Sequence, residues 1–193
     1  MKKFFAMAAL VLASTSAFAQ YSAGDITLQP KVGLNCTSIT DDDADYKAGF
    51  VGGVEAEYHV SPLVGISAGV LYSMQGAKLK DTDIKMNMDY VNIPILANFY
   101  VAEGFALKAG IQPAFNTSNK VKANGITVDY DKYAGNSAAE IKSFDFAIPV
   151  GASYEYKNVC LDARYNIGVT KIVDGDSSKH SVFQITLGYK FKL

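Results

Sequence analysis

Tryptophan is absent from the 193 residues, cysteine occurs twice, proline five times, and only 19% of the residues are charged. The shortage of charge is the most informative of these. A soluble surface usually carries about a quarter to a third charged residues, so the composition argues against a chain wetted on all sides. Neither sign dominates: 18 basic residues stand against 19 acidic ones, which leaves no electrostatic case for a nucleic-acid partner. Uninterrupted apolar runs of about 18 or more are also missing, which argues against a membrane-spanning helix. What is abundant favours strands, with 12 Tyr and 11 Phe beside ample Val and Ile. Such a chain is too apolar to stay disordered, and its length suits one domain.

The first residues read as an export signal. Met1-Lys2-Lys3 is a short basic start, Phe4 to Leu12 is an apolar run too short to span a bilayer, and Ala17-Phe18-Ala19 has the small-x-small form of a signal-peptidase site. Cleavage is expected between Ala19 and Gln20, dividing the chain into a secretory signal peptide at 1–19 and a mature domain at 20–193. The next cysteine is Cys36, which argues against a lipid anchor at the cleavage point.

From Ile26 onward the hydrophobic pattern has period two, the mark of strands with unlike faces. Taken at every second residue, eight sets emerge: Ile26 to Cys36, Ala48 to Val60, Val64 to Met74, Val91 to Val101, Phe105 to Phe115, Phe144 to Tyr156, Val159 to Val169 and Phe183 to Leu193. These sets hold no charged, amide or hydroxy-aliphatic side chain. The intervening residues are rich in Gly, Ser and Asn, with isolated charges at Lys31, Glu55, Glu57, Lys108, Asp145, Glu155, Asp162, Arg164 and Lys190. In a soluble barrel the apolar face would point inward. Yet Leu63 to Gly76 and Tyr90 to Ala102 carry no charge on either face, a poor surface for water. An eight-stranded antiparallel up-and-down transmembrane β-barrel, apolar toward lipid and polar within, is therefore expected.

Spacing and aromatic placement point the same way. Segment starts at 26, 47, 63, 89, 105, 143, 159 and 181 alternate long and short steps, the short ones equal. Short turns are expected at Ser61-Pro62, Ala102-Glu103-Gly104 and Lys157-Asn158, on the periplasmic side with both termini. Outward loops are expected at Ser38 to Lys47, Gly76 to Asp89, Asn116 to Lys142 and Thr170 to His180. Tyr58, Phe99, Phe105, Tyr154, Tyr156, Tyr189 and Phe191 gather near the short turns, and Tyr72, Phe115, Phe144 and Phe146 near the long loops, as two interfacial belts would. Pro30, Pro94, Pro113 and Pro149 fall inside strands, where bulges are expected to absorb them.

An eight-stranded lumen is just wide enough for side chains to fill, and desolvated charges need partners. The nine interior charges are thus expected to plug the barrel as ion pairs, with Arg164 bridging Asp145 or a Glu on the second strand. A narrow passive porin lined by the same residues is the rival reading. A lipid A-modifying enzyme is another, but His59 lies beside the wrong turn and His180-Ser181 point to opposite faces. No catalytic residues, metal or cofactor are expected, and both histidines are read as exposed rim residues. Asp41-Asp42-Asp43, Asp45 and Asp174-Gly175-Asp176 lack a full calcium-loop spacing and read as solvated loops. Cys36 and Cys160 fall at opposite ends of non-adjacent strands, too far apart for a disulfide. The alternation Ile126-Thr127-Val128-Asp129-Tyr130 suggests a protruding hairpin able to recruit a protein partner by strand addition.

Three stretches carry a family resemblance: Tyr90-Val91-Asn92-Ile93-Pro94, Ser143-Phe144-Asp145-Phe146 with Gly151, and Ala163-Arg164-Tyr165-Asn166-Ile167-Gly168-Val169. In these the chain resembles the small outer-membrane barrels of Bacteroidetes, the porin-family or PorT-like group. The resemblance covers nearly all of the mature chain. The closing Tyr189-Lys190-Phe191-Lys192-Leu193 resembles the alternating signal read by the barrel-assembly machinery, with Tyr189, Phe191 and Leu193 as its positions and Leu where an aromatic is commoner. It implies a bacterial outer-membrane location, contact with outer-membrane lipid and an accessory role in secretion. The resulting expectation is a non-enzymatic integral outer-membrane protein, structural or partner-binding through its extracellular loops.

Overall fold

A computed structural model of the chain describes residues 21–39, 44–45, 47–79, 85–123, 126–129, 143–170 and 180–193. The expected cleavage site at Ala19 and Gln20, Asp41 to Asp43, Asp174 and Asp176 lie outside the described residues. Alternating apolar and polar residues extend into eight long staves. These are β1 (Ile26–Ile39), β2 (Lys47–Ser61), β3 (Val64–Leu79), β4 (Lys85–Asn92 and Ile95–Ala102), β5 (Phe105–Ala123), β6 (Phe144–Tyr156), β7 (Val159–Gly168) and β8 (His180–Tyr189, prolonged by Phe191–Lys192). Each pairs antiparallel with its neighbours in sequence. The sheet closes where β8 meets β1, from Ile39 opposite His180 to Thr27 opposite Lys192. Closure leaves no open edge around the barrel, the condition for strands to cross lipid.

The fold is inside-out relative to a soluble domain. None of the alternating apolar positions named above is buried, whereas the buried residues are largely polar or charged, among them Lys31, Glu55, Asn98, Asp162, Arg164 and Gln184. Rings ring both ends: Tyr58, Phe99, Tyr154, Tyr156, Tyr189 and Phe191 are exposed near the short turns, and Tyr72, Phe115 and Phe144 near the other end. Phe115 and Phe144 meet edge-on at 5.6 Å between centroids. The short turns have two residues between strands, at Pro62-Leu63, Glu103-Gly104 and Lys157-Asn158. Gly104 and Lys157 take φ of 68° and 58°, as tight hairpins matched to sheet twist require.

Two expectations need correction. Three of the four long connections are shorter than expected, because β1, β3, β4 and β5 run on through residues assigned to loops. A ladder continues wherever two strands stay extended, whereas an apolar face marks only the part that meets lipid. A short strand at Ile126–Asp129 folds back on Lys120 to Ala123, and Ala44–Asp45 pairs with Leu79 and Lys78. The bulges, too, lie elsewhere than at the prolines, at His59/Ser61, Asp89/Tyr90 and Tyr100/Ala102. Pro94 instead falls at the break in β4, and pairing of β5 with β6 is interrupted between Ala109 and Gln112, opposite Pro149. Pro30 sits in an unbroken ladder opposite Val54. In an antiparallel sheet a residue's N–H and C=O serve one neighbour, so a proline's loss stays on one side.

Candidate functional site

Period two turns Lys31, Glu55, Glu57, Lys108, Glu155, Asp162, Arg164 and Lys190 inward, and all eight are buried. They meet in two layers. The first centres on Arg164, whose Nη1 and Nη2 donate to Glu55 Oε1 and Oε2 at 2.5 and 2.7 Å. Its Nη2 also reaches Asp162 Oδ2 at 2.8 Å, and Nε lies 2.7 Å from Asp162 Oδ1. Lys31 Nζ completes Glu55 at 2.7 Å and lies 3.5 Å from Asp162. Lys108 Nζ holds Asp162 at 2.7 Å. Three cations thus share two carboxylates drawn from β1, β2, β5 and β7.

The second layer lies toward the short turns and sets one cation against two carboxylates. Lys190 Nζ stands 2.9 Å from Glu57 and 3.3 Å from Glu155 and donates to Tyr100 Oη at 2.9 Å. Tyr100 donates to Glu57 Oε1 at 2.8 Å. Together the two layers balance four cations with four carboxylates, as ions removed from water require. Long side chains fit because glycines stand beside them. Lys31 is opposite Gly53 on one side and Gly188 on the other, and Gly151 lies between Lys108 and Arg164.

Asp145 is not part of this lock. Gly151 is the residue opposite Arg164, and Asp145 lies six residues along β6, roughly 20 Å away. There it accepts the Phe146 N–H at 2.8 Å and the Thr170 hydroxyl. Of the two partners expected for Arg164, the glutamate on the second strand is the one it binds. His59 also departs from expectation. Far from an exposed rim residue, it has 0% exposure and stacks on Tyr21 at 4.0 Å. His59 shares the inward parity of Glu55 and Glu57, and the ladder is regular up to His59, shifting only between His59 and Ser61. Tyr21 was invisible to strand periodicity, since it precedes the first strand and fills the mouth from outside the pattern. Tyr100 sat in plain sight on the polar parity of β4. Cys36 is exposed and Cys160 buried, both as free thiols.

At the same end Lys192 Nζ meets Asp25 Oδ2 at 2.6 Å. Hydrogen bonds from Lys192 and then from the Ser22 N–H hold the Asp25 carboxyl below its ordinary 3.8. A depressed carboxylate stabilises the fold above its unfolded value and loses that contribution as pH falls through the folded one. Asp25→Asn is therefore expected to lower the thermal midpoint slightly at pH 7 and by less at pH 2. Equal shifts at both pH values in circular-dichroism melts would contradict this.

A family model described as "Outer membrane protein beta-barrel domain" matches residues 18–174. No curated protein matches the chain in sequence. Among solved structures, Ail, the attachment invasion locus protein of Yersinia pestis, superposes with a TM-score of 0.53 at 16% identity, covering 87% of this chain and 99% of that one. Neisserial surface protein A gives 0.53 at 16% identity over 87% and 97%. OprG of Pseudomonas aeruginosa gives 0.50 at 15% over 90% and 98%. At such identities the likeness speaks for the closed eight-stranded barrel, and the family match adds the membrane in which it sits. The chain belongs to the outer membrane protein beta-barrel domain family.

Proposed function

We propose that the protein is a non-enzymatic outer-membrane barrel that acts through its long-loop side, with the short turns and both termini in the periplasm. The observation that carries this reading is the lock of Lys31, Glu55, Lys108, Asp162 and Arg164, buried across the middle of the lumen. A continuous set of short ion pairs leaves a barrel of this width no aqueous path for solutes. What remains available to a partner is the rim, where strands project past the belt of Tyr72 and Phe115. Among the described residues the strand Ile126–Asp129 pairs on one side only, a suitable edge for strand addition. An accessory role in secretion, as the PorT-like resemblance implies, is the form of partner binding we favour. Tyr189, Phe191 and Leu193 are exposed and serve, on this reading, as the assembly signal.

The test is crosslinking in intact outer membranes, with residues 120–129 carrying the photoreactive groups, followed by purification and mass spectrometry. A stoichiometric secretion or assembly component crosslinked at those positions is expected. Steady single-channel conductance from the purified barrel would overturn the closed lumen, and recovery of the barrel alone would overturn the partner.

A further inference from the structure

We propose that the short-turn mouth of the barrel is a binding cup for a phenolic ring, filled in this structure by the chain's own Tyr21. Tyr21 is only 6% exposed although it lies on a short segment ahead of β1. Each part of its side chain meets a different complement. One face stacks on the His59 imidazole, 4.0 Å between centroids and 19° from parallel. Tyr100 closes a flank at 6.0 Å. The Lys190 ammonium sits 5.2 Å from the ring centroid, within cation–π range. The hydroxyl donates to Glu155 Oε1 at 2.6 Å, a bond strengthened by the charge on its acceptor. Face, flank, quadrupole and hydroxyl are all read, and together they describe a para-substituted phenol rather than an apolar ring in general.

The walls do not depend on their occupant. His59 comes from β2, Tyr100 from β4, Glu155 from β6, and Lys190 from the join between the two parts of β8. Tyr100, Glu57, Lys190 and Glu155 are tied to one another without Tyr21. Neither imidazole nitrogen of His59 has a hydrogen-bond partner among the described residues, so its ring serves as a platform for another ring. Tyr21, by contrast, comes from a short segment outside the strands, tied to the barrel by Gly24 N–H to the His59 carbonyl at 2.8 Å, His59 N–H to the Asp25 carbonyl at 2.9 Å and the Asp25–Lys192 pair. A rigid cup holding a ring on a short tether is able to take the same ring from another molecule once the tether is changed, as engineered cavities take small aromatics.

The experiment uses the full mature chain refolded in lipid nanodiscs, with 4-methylphenol as the probe and the His59 imidazole resonances as the readout. Only two histidines are present, so His180→Gln assigns them. In Tyr21→Gly, 4-methylphenol is expected to shift the His59 signals saturably. Toluene, which lacks the hydroxyl for Glu155, is expected to bind about tenfold more weakly. The wild-type chain, its cup filled, is expected not to respond. Non-saturable shifts in Tyr21→Gly, an equal response in the wild type, or toluene binding as tightly as 4-methylphenol would each overturn the proposal. Should Tyr21→Gly not fold, Tyr21→Phe keeps the stacked ring without its hydroxyl, and 4-methylphenol is then expected to displace it; failure to do so at saturation in the bilayer overturns the proposal equally.

Discussion

Arg164→Ala is expected to lower the unfolding free energy by about 3–5 kcal/mol, the scale for removing one partner of a buried ion pair. The guanidinium gives Glu55 Oε1 and Asp162 Oδ1 their cation contacts. Lys31 and Lys108 approach Glu55 Oε2 and Asp162 Oδ2 instead. Without Arg164 each carboxylate keeps one oxygen buried and uncompensated, and the lumen as a whole becomes negative. Arg164→Lys is expected to recover little, because one ammonium cannot hold two carboxylates in the fork that a planar guanidinium spans. Denaturant titrations in lipid, followed by circular dichroism since no tryptophan is present, measure the loss. An Arg164→Ala midpoint equal to wild type would mean that the lock contributes nothing to folding.

Gly151→Val is expected to cost about 3 kcal/mol, the upper end for inserting volume into a packed interior. A Cβ at Gly151 would fall inside contact with the Ala163 carbonyl oxygen, 2.9 Å from Arg164 Cα and 3.1 Å from Arg164 Cγ. Relief requires either parting β6 from β7 or turning Arg164 away from Glu55 and Asp162. Gly52, on the lipid side, is the internal control. Its added Cβ meets only the Phe50 ring at 3.0 Å and Val32 at 3.5 Å, and a ring facing lipid can swing aside. Gly52→Ala should therefore leave the denaturation midpoint nearly unchanged while Gly151→Ala already lowers it. Equal effects at the two sites would show that strand propensity, not lumen space, governs these glycines.

Much of this architecture was legible in the residues, for a physical reason. Lipid outside and a packed polar lumen inside impose opposite demands on successive side chains, so contrasts such as that between Val32 and Lys31, or Tyr165 and Arg164, recur along the strands although a few inward positions, Val51 and Leu71 among them, are apolar. That Arg164 meets Asp145 or a glutamate of the second strand was legible, because a buried guanidinium in a narrow lumen has few carboxylates to choose from; the choice of Glu55 comes from the fold. Asp162 was passed over although the pattern places it: it stands two residues from Arg164 and so on the same face, whereas Asp145 is only two residues past the start of its segment beside a long loop. His59 departs from the exposed rim residue expected because proximity to a turn suggests solvent, whereas its parity turns it inward and the ring of Tyr21 stacks over it. Tyr21 itself left no signal, since a plug delivered by a segment without periodicity has nothing to repeat.

The glycines opposite the long charged side chains carry a consequence for assembly. Alternation alone cannot tell the correct pairing of two strands from one displaced by two residues, because every apolar side chain still faces lipid after such a slip. The lumen can. Sliding β8 two residues along β1 replaces Gly188 beside Lys31 with Lys190 or Thr186, setting like charges abreast or filling the space Lys31 needs. The same slip between β6 and β7 gives Arg164 Ser153 or Pro149 in place of Gly151. The interior thus works as a key whose cuts are single residues, admitting one shear for the barrel while the greasy exterior would accept several.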